Sequence, residues 1–197
     1  MAFEEIKSSG ITEKTPGNIL LGAGTIHKGF KYDSQKKSWN FAESLIGATS
    51  GGNKFEIIPE LYTIEVDGAF VRVQGLDKKV GETAKLEINL IELTPDIIKA
   101  AVIGKESVSD LEGYSLIESK STIDKGDYFE NIAFVGKKLD GKPIIVILDN
   151  ALCTSGLSLE GKNKESSVPT YTFECSQELT GDTTVLPYHI YYPTAAE

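Results

Sequence analysis

The feature that most constrains this chain is strict apolar–polar alternation. In "AKLEINL", Ala84, Leu86, Ile88 and Leu90 alternate with Lys85, Glu87 and Asn89. In "PTYTFECSQEL", Tyr171, Phe173, Cys175 and Leu179 alternate with Thr170, Thr172, Glu174, Ser176 and Glu178. A period of two sends successive side chains to opposite faces of a strand, so each segment has one packed face and one wet face. "PIIVILDNAL" is almost continuously apolar, as expected of a strand buried on both faces. Asp140-Gly141 separates it from "ENIAFVGKKL", and Asp67-Gly68 separates "TIEVDG" from "AFVRVQG". Both dipeptides are hairpin signals. One helix interrupts the pattern. In "LTPDIIKAAVIG", Thr94 can cap, Pro95 suits the first turn, and Gly104 is placed to end the helix. The expected class is mainly β, sandwich- or barrel-like, with one short helix around residues 95–103.

The expected organisation is a polar N-terminal arm over 1–18 and a single β-rich domain over 19–197. Within it we expect a long Gly-rich loop over about 28–54 and an extended, aromatic C-terminal end over about 186–197. Loops that long inside a compact domain are uncommon and usually functional. Gly22 and Gly24, inside an apolar segment, suggest a bulge or a place where another backbone comes close.

Enzyme motifs were sought and fail. "LLGAGTIHKG" has His27 where a dinucleotide fingerprint needs its third glycine, and no helical periodicity follows. "GATSGGNK" lacks the Gly-Lys-Ser/Thr ending of a phosphate loop. Ser155 does not sit in a nucleophile elbow. Paired carboxylates such as Glu174 and Glu178 read as a solvated strand face. His27 and His189 are far apart, and Cys153 and Cys175 read as small buried hydrophobes rather than metal ligands or a disulfide. We therefore expect no catalytic residues, no cofactor and no metal. The balance of 29 acidic against 20 basic residues gives a formal net charge of −9, which argues against a surface that grips nucleic acid. Neither a membrane-spanning run nor a signal-peptide pattern is present, so synthesis and folding in the cytoplasm are expected.

Beyond these motifs the sequence resembles the major tail proteins, or tail tube proteins, of tailed bacteriophages that infect Gram-positive hosts. The resemblance is carried by "GNILLGAGTIHKGFKYD", "ESLIGATSGGNKF", "IEVDGA", "GETAKLEINLIELTPDIIKAA", "ENIAFVGKKLDGKPIIVILDNALC" and "ELTGD…LPYHIYYP". It implies two packed sheets flanked by a helix, assembled as hexameric rings that stack into a hollow tube. One sheet of each copy would join its neighbours edge to edge around the lumen. The implied partners are further copies of the chain and the tape-measure, distal tail and tail terminator proteins. Double-stranded DNA would pass through without specific binding, and the location would be the virion.

Under this resemblance the wet strand faces become candidate lumen-facing residues: Lys85, Glu87 and Asn89, with Thr170, Thr172, Glu174, Ser176 and Glu178. The Gly-rich stretch becomes a candidate inter-ring loop, represented by Ser44, Gly47, Thr49, Gly51, Gly52 and Asn53. Two alternatives stay open on the residues: the tube protein of a contractile tail or phage-like bacteriocin, and a monomeric β-sandwich binding module in which Trp39 or the aromatic tail meets sugar rings.

Overall fold

A computed structural model describes residues 9–194; residues 1–8 of the expected arm, and 195–197 of the expected C-terminal end, lie outside the described residues. Its elements in chain order are β1 (Leu20–Lys28), β2 (Tyr32–Asp33), β3 (Ser38–Trp39), α1 (Phe41–Ser44), β4 (Thr49–Thr63) and β5 (Asp77–Leu90). There follow α2 (Pro95–Val102), β6 (Gly104–Ser107), β7 (Leu116–Ser119), β8 (Phe129–Lys138), β9 (Pro143–Cys153), β10 (Thr170–Cys175) and β11 (Tyr188–Tyr191). The fold is mainly β, in agreement with the alternation.

The resemblance implied two packed sheets. The structure instead has one seven-stranded antiparallel sheet, ordered β1-β8-β9-β10-β5-β4, together with two small hairpins, β2–β3 and β6–β7. The pairing is continuous because β9 serves three strands. One edge pairs with β8, and the other is shared between β11, along residues 145–148, and β10, along 151–153. The sheet curls until its outer strands approach, where Asn53 Nδ2 donates to the Ala23 carbonyl at 3.1 Å.

Inside the curl lies the main core. Leu86, Ile88 and Leu90 of β5 face Tyr171 and Phe173 of β10, Ile132 and Phe134 of β8, and Val146 and Leu148 of β9. Asn150, with φ 48°, turns β9 so that Ala151 and Cys153 take over the inward positions. Helix α2 closes one end, burying Ile97, Ala100 and Ala101. Thr94 Oγ1 accepts from Ile97 N–H, the third residue of the helix, as an N-cap side chain should. The expected stop at Gly104 needs correction, since the left-handed residue is Ile103 (φ 49°) and Gly104 already belongs to β6. A Cβ at Gly104 would sit 2.9 Å from both the Glu118 carbonyl oxygen and Val102 Cγ2. The glycine is needed for close approach, not for an unusual φ.

The bulge expected at Gly22 and Gly24 is present: pairing with β8 slips between Leu21 and Thr25. Two other expectations are corrected. Residues 28–54 are not a long loop. They form β2–β3, α1 and the start of β4, where a second register slip between Thr49 and Asn53 absorbs Gly51 and Gly52. The hairpin packs on the outer face of β8 and β9, where Phe30 is buried with Ala133, Ile145 and Ile147. Nor does "AFVRVQG" return as a strand. Strand β4 pairs with β5 instead, and residues 64–76 form the loop between them, with Asp67-Gly68 making a local turn closed by Ala69 N–H to the Val66 carbonyl at 3.0 Å.

Candidate functional site: an outer charged ladder and an apolar hairpin tip

Register decides which of the expected wet residues meet. Thr170 lies opposite Asn89, Thr172 opposite Glu87, and Glu174 opposite Lys85. Strand β4 extends the same rows, with Lys54 opposite Glu87 and Glu56 opposite Lys85. The outer face of β4–β5–β10 is thus a chequerboard of charge. Lys85 Nζ is 2.9 Å from Glu174 Oε1, and Lys54 Nζ is 3.2 Å from Glu56 Oε2. Thr154 Oγ1 donates to Glu174 Oε1 at 3.0 Å, and Thr170 Oγ1 donates to Asn89 Oδ1 at 2.6 Å. The ladder holds two lysines (54, 85) and three glutamates (56, 87, 174), a balance of −1.

Six of the eight candidate lumen residues therefore form one surface. Ser176 and Glu178 do not, because β10 ends at Cys175. Ser176 N–H bonds the Asn150 carbonyl, and the Glu178 carboxylate lies 3.9 Å from Lys125 Nζ. Lys54 and Glu56 join this face because "NKFEII" lies wholly within β4 and does not straddle the end of a loop at residue 54. Its alternation, with Phe55 and Ile57 packed on the core, was the missed signal.

The candidate inter-ring residues fare differently. Ser44 is buried at the end of α1, where its hydroxyl donates to the Asn40 carbonyl at 2.7 Å and contacts His27 Nδ1 at 2.9 Å. With its proton directed at a carbonyl, Ser44 accepts from Nδ1–H, and His27 Nε2 is left to accept from Thr25 Oγ1 at 2.9 Å. Burial holds the His27 pKa below its usual value. The pair pins α1 to β1. Thr49, Gly51, Gly52 and Asn53 belong to β4, and Gly47 leads into it.

The segment that does project is the β4–β5 hairpin. Pro59 is tolerated in β4 because an edge strand does not need every N–H. Past it, Leu61, Tyr62, Ile64, Val66, Val71 and Val73 are exposed, and Phe70 is 98% exposed. The loop curls around an open hollow of about 540 Å³. Its base is fixed: Arg72 Nε donates to both Asp77 oxygens at 3.0 Å, and Thr63 Oγ1 donates to Oδ1 at 2.7 Å. The bond from Thr63, then that from Arg72, holds the Asp77 carboxyl below its ordinary pKa. The base of the loop is thus tied down by hydrogen bonds, while its apolar rim is left exposed by the described residues.

Trp39 is not a free platform. Phe30 stacks on it at 4.8 Å and 3° between planes, while Tyr32 and Tyr191 meet it edge-on at 5.2 and 5.1 Å. Cys153 and Cys175 are free and buried, and burial pushes the Cys175 thiol up to about 11. Among the described residues, no cluster of three or more His, Cys, Asp or Glu is placed to hold a metal ion, and no helix is long and apolar enough to cross a membrane. No protein-family model matches the chain, and no curated protein matches its sequence.

Proposed function

We propose that this chain is a structural virion protein, the major tail tube subunit of a bacteriophage, whose copies form hexameric rings stacked into the hollow tail that conducts the DNA genome. The observation that carries the reading is the β4–β5 hairpin, which runs past the body of the sheet and ends in an apolar loop that the described residues leave uncovered. A subunit that closes rings and repeats along an axis uses heterologous contacts, and a projecting apolar element suits one. Residues 57–63 of β4, paired with β5 on one side and with no described strand on the other, offer an edge for pairing between copies, which would manage the edge-strand problem by closure. On this reading the β4–β5–β10 ladder faces the lumen. Its lysines are paired to carboxylates, so DNA phosphates meet few uncommitted cations and slide. The tape-measure, distal tail and terminator proteins would be the heterologous partners.

The test is assembly. Purified protein concentrated, or nucleated with tail-tip components, should give rings or tubes by negative-stain microscopy. Replacing residues 65–75 by a two-residue turn should leave circular dichroism unchanged and abolish them. A monomer at every concentration, with tail-tip components present, would overturn the reading.

A further inference from the structure

Isoaspartate forms where a backbone N–H can reach the carboxyl of the residue before it. A following glycine, having no Cβ, leaves that path open and the backbone free to turn. No asparagine of this chain precedes a glycine, but two aspartates do, at Asp67-Gly68 and Asp140-Gly141. Both glycines have a left-handed backbone, with φ 84° and 86°. The dipeptides are thus alike, and only their surroundings separate them.

Asp140-Gly141 is held at both reacting ends. The Gly141 N–H donates to the Lys138 carbonyl at 2.9 Å, and Asp140 Oδ1 accepts from Lys142 N–H at 3.1 Å. Lys138 Nζ stands 3.7 Å from Asp140 Oδ2, and Lys138 N–H donates to the Lys142 carbonyl at 2.9 Å to close the turn. At Asp67-Gly68 the turn is closed by one bond, from Ala69 N–H to the Val66 carbonyl. Among the described residues, neither the Gly68 N–H nor the Asp67 carboxylate has a hydrogen-bond partner, and no cation pairs with Asp67. Residues 64–75 are all exposed, and a Cβ at Gly68 would meet nothing within 4 Å. Nothing packed against this peptide resists its rotation.

We infer that Asp67 is a site of spontaneous isoaspartate formation in the folded protein, that Asp140 is protected, and that the product is a substrate for a methyltransferase acting on isoaspartyl carboxylates. The Gly68 nitrogen attacks Cγ of the protonated Asp67 carboxyl. A C–N bond forms, and the hydroxyl leaves with the amide proton as water, giving a succinimide. Water then cleaves the bond between the Asp67 α-carbonyl carbon and the Gly68 nitrogen. The main chain now runs through Cβ and Cγ, the α-carboxyl is free, and no atom is gained or lost overall. The added backbone carbon lengthens the turn that Ala69 and Val66 close, while the ties of Thr63 and Arg72 to Asp77 stay in place. The methyltransferase esterifies the freed α-carboxylate with the methyl group of S-adenosylmethionine, releasing S-adenosylhomocysteine. This chemistry is independent of assembly.

The test follows both sites in one sample. Full-length protein is held in mildly acidic buffer at a temperature where it stays folded. It is then digested with an endoproteinase that cleaves before aspartate but not before isoaspartate. Cleavage before residue 67 should be lost with time, and the resistant peptide should take up labelled methyl from S-adenosylmethionine when treated with an isoaspartyl methyltransferase. In urea the two sites should react at similar rates. In the folded protein, Asp140 should react roughly ten- to a hundredfold more slowly than Asp67, because two further hydrogen bonds have to break first. Asp67→Glu should abolish the signal at 67 and leave the melting temperature unchanged. Equal rates at the two sites in the folded protein, a faster reaction at 140, or a rate at 67 far below that in urea would overturn the assignment.

Discussion

Lys85 and Glu174 meet across the β5–β10 pair with Nζ 2.9 Å from Oε1, and the glutamate also accepts from Thr154. Both side chains keep about a third of their surface in water, so the pair adds only about 0.2–1 kcal/mol to folding. Its larger effect is to occupy the lysine. Glu87→Lys with Glu174→Lys shifts the ladder from 2 − 3 = −1 to 4 − 1 = +3. On the proposed tube function, tubes of this variant should assemble but retain double-stranded DNA at low salt, and phage carrying them should eject slowly, with added salt relieving the defect. Wild-type ejection that is indifferent to salt would put this face on the outside of the tube.

The β1 bulge separates two glycines by what surrounds them. Both have positive φ, 81° at Gly22 and 71° at Gly24. A Cβ at 22 meets nothing within 4 Å, while one at 24 would lie 2.4 Å from the Phe134 ring. Gly22→Ala should cost roughly 1–2 kcal/mol for the left-handed backbone alone. Gly24→Ala adds overpacking, for a total of roughly 2–5 kcal/mol. Denaturant midpoints of the two variants would show the order, and equal losses would contradict it.

His27 sets a pH dependence with a definite sign. Its folded pKa lies below the ordinary histidine value of about 6.5 because burial disfavours the imidazolium. The unfolded chain therefore binds the proton more readily, and stability is fully present above about pH 6.5 and declines as the pH falls toward the folded value. In His27→Gln that component disappears. The difference in urea midpoint between wild type and variant should shrink between about pH 7.5 and pH 5.5. A difference that stays constant, or grows on acidification, would refute the assignment.

Tyr171 is wholly buried, and its hydroxyl finds no hydrogen-bond partner among the described residues. Burying a hydroxyl without a partner costs about 1–3 kcal/mol, whereas the ring itself packs with Phe173 and Leu86 in the core. Tyr171→Phe should therefore leave the melting temperature unchanged or raise it. A drop equivalent to more than about 1 kcal/mol would mean that the oxygen is satisfied.

What could be read from the chain follows the range over which each signal acts. Alternation over 84–90 and 170–175 gave the strand faces correctly, because period two is a local property that packing then exploits. It could not reveal that these strands are neighbours, which depends on how β9 divides its edge between β10 and β11. Glycines misled where they were taken as loop markers: Gly51 and Gly52 sit in a bulge inside a fifteen-residue strand. Apolar residues misled at 69–75, where Val71 and Val73 look like a strand face but have no partner strand. The projecting tip was legible only once pairing showed that β4 meets β5 directly.

The Asn131 side chain accepts from Phe30 N–H at 2.7 Å and donates to the Phe30 carbonyl at 3.1 Å, joining residues 101 apart in sequence. That tie has a kinetic consequence. The β4–β5 and β8–β9 hairpins need only local closure and can form in roughly 1–10 μs. Pairing β1 with β8, and β10 with β5, closes loops spanning much of the chain, which places completion on the order of milliseconds to seconds. During that interval the apolar strand β9 has a partner on one edge and no cover over Ile145 and Ile147. Refolding yield should thus fall as protein concentration rises. A chain that meets its own copies when folded, as proposed, would have to stay clear of them until Phe30 is in place.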